Sequence, residues 1–592
     1  MSDTSSNPQA TTPEMRLCRF LSGLALFSGL EPDTLTQLAA QADSIALPGG
    51  VTLFEQDDPS DAFYVLRWGR LAAWRRNEEG ERVRLGQIGP GECVGEVGLI
   101  LERPRTATAV ALRDCELLRW SREDFESLLG RHPGAMLRLA REALKRYAQT
   151  VGQPAAARCF ALLCGTPGID VAGFAQELAA VLGRPGEFRV VSAAEAHDRG
   201  PGWFTVLEQQ QAGGVLYVGD GDPAWRERCV RQSDVVLVLA DAGADPAHAL
   251  PPPEAVSEHT PLHLVLRQRG DPAPGSTRPW LDAYPVATMH HHLRHGGDLA
   301  RVARLLGGRA TGVVLSGGGA RGFAHIGVLR ALREAGVAVD YVAGCSAGAI
   351  VGAGIAADWD DARLVAALRG AFVEDNPLSD RTLPLVAMHS GHKVSQVLRR
   401  TYGEGGIEDL PLPFFCVSTD LTEGVLHVHD RGPLWIALRA SSSIPGVVPP
   451  VFHERRVLVD GGVIDNLPVE EMRRRLGGQI VAVDVGGNYR IDTDLEETAL
   501  PPWWQQIALQ WRDKRYPGIG RILWRAGMVN SAATVARQRR QSSLLLTPEL
   551  AEIDLLGWHQ FDRAIELGYL GAVRSLGDHA GTLASATPHL GL

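Results

Sequence analysis

The spacing of hydrophobic positions changes character three times along this chain. Between residues 16 and 126, short β-type runs ("VTLFEQ", "AFYVLRWGRLAAWRR", "RVRLGQIGPG", "TATAVALRDCELLRW") are separated by glycine turns. They predict a small β-rich domain with helical flanks, the last helix falling over about 121–148. From 155 to 295, wholly apolar runs of strand length ("CFALLC", "FRVVS", "GVLYVG", "DVVLVLA", "LHLVLR") alternate with helical stretches. That rhythm predicts a parallel sheet covered by helices. A second α/β domain is expected over 300–490, and a helical, tryptophan-rich extension over 491–592. Residues 1–15 form a polar tail expected to be disordered. No solenoid repeat is present.

Composition narrows the class. At 592 residues the chain exceeds what one core supports, so several domains are expected. A net charge of -10 argues against a nucleic-acid scaffold, which would carry a basic patch. The eight cysteines include no C-x-x-C pair and no zinc-site spacing, so buried free thiols in a reducing cytoplasm are expected and no metal site. The N-terminus lacks the basic and apolar regions of a signal peptide, and no apolar run reaches the roughly 20 residues of a spanning helix. Any membrane contact is expected to be peripheral.

Two glycine-rich stretches carry the chemistry. "SGGGARGFAHIGVLRAL" follows an apolar strand and opens an amphipathic helix. Gly317, Gly319 and Gly322 fit G-x-G-x-x-G, but the acidic residue that should end the following strand is missing, so a dinucleotide site is disfavoured. The remaining use of such a loop is to present N–H groups to an anion. One strand later, "YVAGCSAGAIVGAGIA" contains G-x-S-x-G, with Ser346 between an apolar strand and a small-residue helix. Beside a serine nucleophile, the anion would be a tetrahedral oxyanion. The downstream histidines (389, 392, 427, 429, 453, 559, 579, 589) include none in a glycine-bracketed turn at a strand end. "VLVDGGVIDNLP" offers Asp460 in such a turn, though an ordinary Asp-Gly turn is an equal reading from the residues alone.

"GGGARG", "GCSAG" and "DGGVIDNLP" together resemble the three blocks of the patatin-like phospholipases. Residues 155–490 are similar to the lysophospholipase branch typified by neuropathy target esterase, through "WRERCVRQSDVVLVLAD" and "FCVSTDLTEGVLHVHDRGPLWIALRASSSIPGVVPP" as well. The resemblance implies a Ser–Asp dyad without histidine. Ser346 would be the nucleophile and Asp460 its base, and the Gly317, Gly318 and Gly319 amides with Arg321 would form the oxyanion hole. Asn466 and Pro468 would shape the turn. The expected substrates are phospholipids and lysophospholipids. Unlike the animal enzymes, this sequence shows no membrane helix and has room for one ligand-binding module.

That module is "IGPGECVGEVGLILERPRTATAV", which resembles the phosphate-binding cassette of cyclic-nucleotide-binding domains. The resemblance implies a jelly-roll-like fold, Arg105 on the cyclic phosphate, Glu96 on the ribose hydroxyl, and the Gly95 and Ala107 amides around them. Thr106 would sit beside the ligand, cyclic AMP or cyclic GMP. In the middle domain, "CGTPGIDVAGFA" holds a phosphate-loop position without Gly-Lys-Ser/Thr, the mark of a degenerate nucleotide-binding-like fold. Trp503, Trp504, Trp511, Trp524, Arg512, Lys514 and Arg515 suit a membrane interface. The oligomeric state is left open, a dimer being compatible. The rival readings are a ligand-sensing regulator with an inactive hydrolase domain, and a carboxylesterase or triacylglycerol lipase.

Overall fold

The computed structural model describes residues 13–132 except 78, 79 and 81; 134, 138 and 141; 157–486 except 255 and 257–259; 502; and 529–578. The chain divides into two compact units, residues 1–239 with 250–263, and residues 240–249 with 264–592.

In the first unit, eight short strands make a sandwich of two antiparallel sheets. Strands β1 (Asp43–Leu47), β8 (Cys115–Ser121), β3 (Ala62–Trp68) and β6 (Cys93–Val94) form one sheet. Strands β2 (Thr52–Phe54), β7 (Thr108–Ala111), β4 (Leu71–Arg76) and β5 (Arg82–Ile88) form the other. Leu66, Leu71, Ala111 and Leu117 fill the space between them. Phe27, Phe63, Trp120 and Phe125 pack the flanking helices onto the outer face, and the Trp120 indole donates to Leu38 O at 3.0 Å. The helix Pro13–Ser22 already begins inside the expected polar tail.

The same unit contains the first parallel strands, in the order β10 (Phe188–Val191), β11 (Gly214–Gly219), β9 (Cys159–Cys164), β12 (Val235–Asp241). The residues of β11, β9 and β12 are almost all buried, as strands covered on both faces must be. Arg113, at the end of the sandwich, is buried and pairs with Asp234 at 2.5 Å and Glu208 at 3.4 Å, which ties the sandwich to this sheet. The loop after β9 leads into the helix Val171–Leu182. There the Asp170 side chain accepts the Gly173 N–H at 2.7 Å. An acidic cap occupies the position a phosphate takes at a helix start, which agrees with a degenerate loop.

The second unit holds most of β13 (Leu262–Arg267), β14 (Ala287–Leu293) and an eight-stranded sheet. That sheet runs β19 (Val451–His453), β20 (Arg456–Asp460), β17 (Phe414–Asp420), β16 (Tyr341–Cys345), β15 (Thr311–Leu315), β21 (Gln479–Val483), β22 (Leu544–Leu546), with β18 (Val425–His429) also paired to β17. Strands β17, β16, β15, β21 and β22 are mutually parallel. The helices Ala324–Glu334, Ala347–Ala356 and Phe561–Asp578 cover one face, packing Phe323, Ile326, Leu332, Val351 and Phe561. The region after 490 is therefore helical where described, but it also supplies an edge strand, because "LLL" at 544–546 continues the parallel ladder. The tryptophans and cations at 503–524 lie outside the described residues.

Candidate active site

Ser346 stands where β16 passes into the helix Ala347–Ala356, with φ 52° and ψ -124°, a left-handed conformation that serine adopts at a cost. The flanking glycines make this turn feasible. A Cβ on Gly344 would meet Gly348 O at 2.5 Å, and one on Gly348 would meet Leu315 O at 2.3 Å. Only hydrogen fits at either place, so strand, turn and helix can close on one another. The turn is pinned from outside as well: the Ser346 N–H donates to Ser441 Oγ at 2.9 Å.

Asp460 ends β20 and turns through Gly461-Gly462 toward the serine. Its Oδ2 accepts the Ser346 Oγ–H at 2.6 Å, its Oδ1 accepts the Gly462 N–H at 2.8 Å, and the Cys345 thiol lies 3.7 Å from Oδ1. Burial pushes this carboxyl up to about 6, against the lowering effect of the hydrogen bonds from Ser346, Gly462 and Cys345. A carboxylate with that value can take a hydroxyl proton and give it back near neutral pH.

No histidine among the described residues hydrogen-bonds Ser346 or Asp460 in any recorded contact. His427 and His429 share a face of β18, as their alternation implies, and His429 Nε2 bonds Ser418 Oγ at 2.7 Å. Burial holds His429 far below its usual value, so it is neutral. The histidine nearest the glycine loop lies upstream of the serine: buried His325 bonds Ser316 O at 2.9 Å and is also held low by burial. His290 and His292 of β14 both bond Glu408 O at 2.9 Å. No cluster of potential metal ligands occurs among the described residues.

The glycine loop is narrower as a donor site than the sequence implies. The Gly317 N–H is taken by Asn466 Oδ1 at 3.2 Å, and Asn466 Nδ2 returns a bond to Gly317 O at 3.0 Å. Arg321 is turned to the backbone, with Nε on Ile553 O at 2.9 Å and Nη1 on Gly486 O at 3.3 Å. Gly318 and Gly319 keep amides with no recorded protein acceptor among the described residues. Gly319 has φ +57°, and a Cβ there would meet Leu555 O at 2.1 Å. The first-turn amide of Ala347 is the further donor this elbow offers.

A cleft of about 620 Å³, its open mouth included, leads to Ser346. Phe323, Ile350, Val351, Phe372, Val394 and Trp558 are among its lining residues, and Ile444, Val447 and Val448 form one wall. An apolar cleft ending at a serine suits an acyl chain. Sequence reasoning missed Ser441 and His325. The serine run "SSS" at 441–443 was the available signal for the first, and nothing marked the second.

In the first unit, Arg105 is buried. It donates to Gly95 O at 3.0 Å, Ala62 O at 2.9 Å and Asp61 Oδ1 at 3.0 Å, with Phe54 4.2 Å from the guanidinium. Gly95, with φ +88°, leaves no room for a side chain, since a Cβ would meet Arg105 Nη1 at 2.4 Å. Glu96 is buried at the start of the helix Glu96–Ile100, and Thr106 is exposed beside the half-buried Ala107.

A family model described as patatin-like phospholipase matches residues 313–473, the stretch that holds the elbow, the glycine loop and the aspartate. Models described as a cyclic nucleotide-binding domain and as the neuropathy target esterase family P-loop like domain match 45–132 and 157–304. An uncharacterized NTE family protein of Mycobacterium tuberculosis is 30% identical over 581 residues, covering 94% of this chain and 96% of that one. The chain belongs to the neuropathy target esterase (NTE) family. It is also 28% identical to the neuropathy target esterase sws of Drosophila melanogaster over 607 residues (89% of this chain, 42% of that one). The same identity links it to lysophospholipase NTE1 of Mycosarcoma maydis over 685 residues (97% and 36%). The chain is thus a lipid ester hydrolase with a cyclic-nucleotide-binding-type domain. Among the described residues no helix is long and apolar enough to cross a membrane.

Proposed function

We propose that this protein hydrolyses the fatty-acyl ester of lysophospholipids and phospholipids through a Ser346–Asp460 dyad. The 2.6 Å hydrogen bond from Ser346 Oγ to the raised Asp460 carboxylate carries the reading. Ser346 Oγ attacks the ester carbonyl as its proton passes to Asp460. The Gly318 and Gly319 amides, with that of Ala347, stabilise the oxyanion. The C–O bond to the glycerol oxygen then breaks, and Asp460 returns the proton to that oxygen. Water, deprotonated by Asp460, attacks the acyl-serine; the bond from the carbonyl carbon to Ser346 Oγ breaks, Asp460 returns the proton to Oγ, and the fatty acid leaves. The apolar cleft supports an acyl chain as the group transferred.

A fluorophosphonate probe should label the wild-type protein and neither Ser346→Ala nor, at comparable rate, Asp460→Asn. Fatty acid should be released from lysophosphatidylcholine in the same order. Equal labelling of wild type and Ser346→Ala would refute the dyad, and no labelling of the wild type would favour the inactive ligand-sensing regulator.

Arg105, Glu96, Gly95, Thr106 and Ala107 form the seat of a regulatory cyclic nucleotide, cyclic AMP or cyclic GMP, in this reading. Because Arg105 is engaged with Asp61, the phosphate must take over that pairing when it binds. Titration calorimetry with both nucleotides tests this, and no heat with either overturns it. None of the eight cysteines stands in a disulfide, which supports a cytoplasmic location with work at the inner membrane face, and cell fractionation tests this.

A further inference from the structure

Three of the four most exposed large hydrophobic side chains of the described residues lie in one short loop, the fourth being Phe452 of β19 at 75%. Leu383 is 73% exposed, Leu385 84% and Val386 67%, with exposed Pro384 between them. Such side chains scattered singly mean little, but three within four residues form an apolar tip. The loop is stitched at its base. Arg381 and His389 form an antiparallel bridge, Thr382 N–H donates to Met388 O at 3.1 Å, and Ser390 N–H donates to Asp380 O at 2.9 Å. Asp380 is further held by Ser390 Oγ at 2.6 Å and the Lys393 N–H at 3.1 Å. A stiff base under an apolar tip keeps these side chains from folding back onto the protein.

The base is joined to the wall of the active-site cleft. Met388 N–H donates to Gly446 O at 2.9 Å and His389 N–H to Val447 O at 3.1 Å. Val447, with its neighbours Ile444 and Val448, lines the cleft that ends at Ser346. The base of the apolar tip is therefore held against a segment that lines the acyl site. Charge favours the same occupant: "RTLPLVAMH" over 381–389 contains no acid in a chain of net charge -10, and Arg381 is exposed at its start.

We infer that the loop 382–388 is a membrane-docking spike that enters the interface of an anionic lipid bilayer beside the active-site mouth. This rests on the lipid-hydrolase reading of Ser346. A lipid surface fits better than a protein partner, because a protein seated on the tip would cover the route by which an acyl chain enters. Docked lipid instead extends that route: the tip displaces headgroups and an acyl chain passes along Val447 into the cleft. Partial insertion of a few apolar side chains next to a cation is how peripheral proteins hold a bilayer.

The test uses the full chain carrying Ser346→Ala, co-sedimented with phosphatidylcholine vesicles with and without phosphatidylglycerol. The parent should bind, more tightly to the anionic vesicles. Adding Leu383→Ser, Leu385→Ser and Val386→Ser should weaken binding about tenfold or more. Isoleucine at the two leucines should restore it. In the active protein, the triple serine variant should lose hydrolysis of vesicle-borne lysolipid while keeping that of a soluble short-chain ester. Unchanged vesicle binding by the triple variant, no binding by the parent, or parallel loss of soluble-ester hydrolysis each overturns the inference. A wild type inactive on the soluble ester sinks the dyad instead, and vesicle binding then judges the loop by itself.

Discussion

Asp460→Asn is expected to make the hydrolase unit more stable while disabling it. The folded-state value of Asp460, about 6, lies above its ordinary 3.8 because the carboxyl is buried. Ionising it therefore costs the fold. The sign follows from proton linkage: the cost is absent below about pH 4, grows as pH rises to 6, and is fully present above. A rise of about two units at roughly 1.36 kcal/mol each amounts to about 3 kcal/mol at pH 8. Asparagine fits the same space without the charge. Its oxygen can accept the Gly462 N–H, and its amide can donate to Ser346 Oγ, so little is lost to offset the gain. Calorimetric unfolding at pH 8 should show the variant stabilised by up to about 3 kcal/mol, and at pH 4 the two proteins should coincide. Acylation should meanwhile fall about 10³-fold or more, since the base that hydrogen-bonds Ser346 Oγ is gone. A variant less stable than wild type at pH 8, or one retaining more than about a tenth of the acylation rate, would refute the account of Asp460 as a buried, destabilised base.

Esterase activity should rise with pH through a midpoint near 6, the carboxylate being the working form. Asp465 is also pushed up to about 6 by burial, and Asp465→Asn should leave that midpoint in place. Ser441→Ala, which strands the Ser346 N–H, should lower kcat about tenfold with KM little changed in steady-state assays. An unchanged kcat would show that the elbow holds its strained turn without this pin. Asp61→Asn, which releases Arg105, should tighten cyclic-nucleotide binding about tenfold by calorimetry, and weaker binding would show the pair to be part of the seat. His429→Gln should leave fluorophosphonate labelling close to wild type, and a large loss would restore a histidine to the mechanism.

Much of the site was legible because its chemistry depends on backbone space that few residues allow. A Cβ at Gly344 or Gly348 would lie within 2.5 Å of a carbonyl oxygen, so only glycine fits there, and G-x-S-x-G is readable as a turn from the residues alone. Asp460 was weaker on that basis: Asp-Gly-Gly is a common turn, and the resemblance to the patatin blocks, not the spacing, raised it above that. The strand Leu544–Leu546 was missed because three leucines among helical segments carry no period of their own. The donor loop was overcounted for a related reason. Nothing in "GGGARG" tells which amides Asn466 will take, or that Arg321 will turn to Ile553 and Gly486.

The sequence by itself determined the order of domains, the proposed nucleophile and its strained turn, because period, glycine spacing and apolar runs act within a few residues of one another. The tertiary structure alone decided which groups meet. It brought Asp460 to Ser346 across 114 positions, gave Ser441 the Ser346 amide across 95, and withdrew Gly317 and Arg321 from the cleft. It also set the value of the base, since desolvation is a property of the packed surroundings and cannot be read from the residue or its neighbours in the chain.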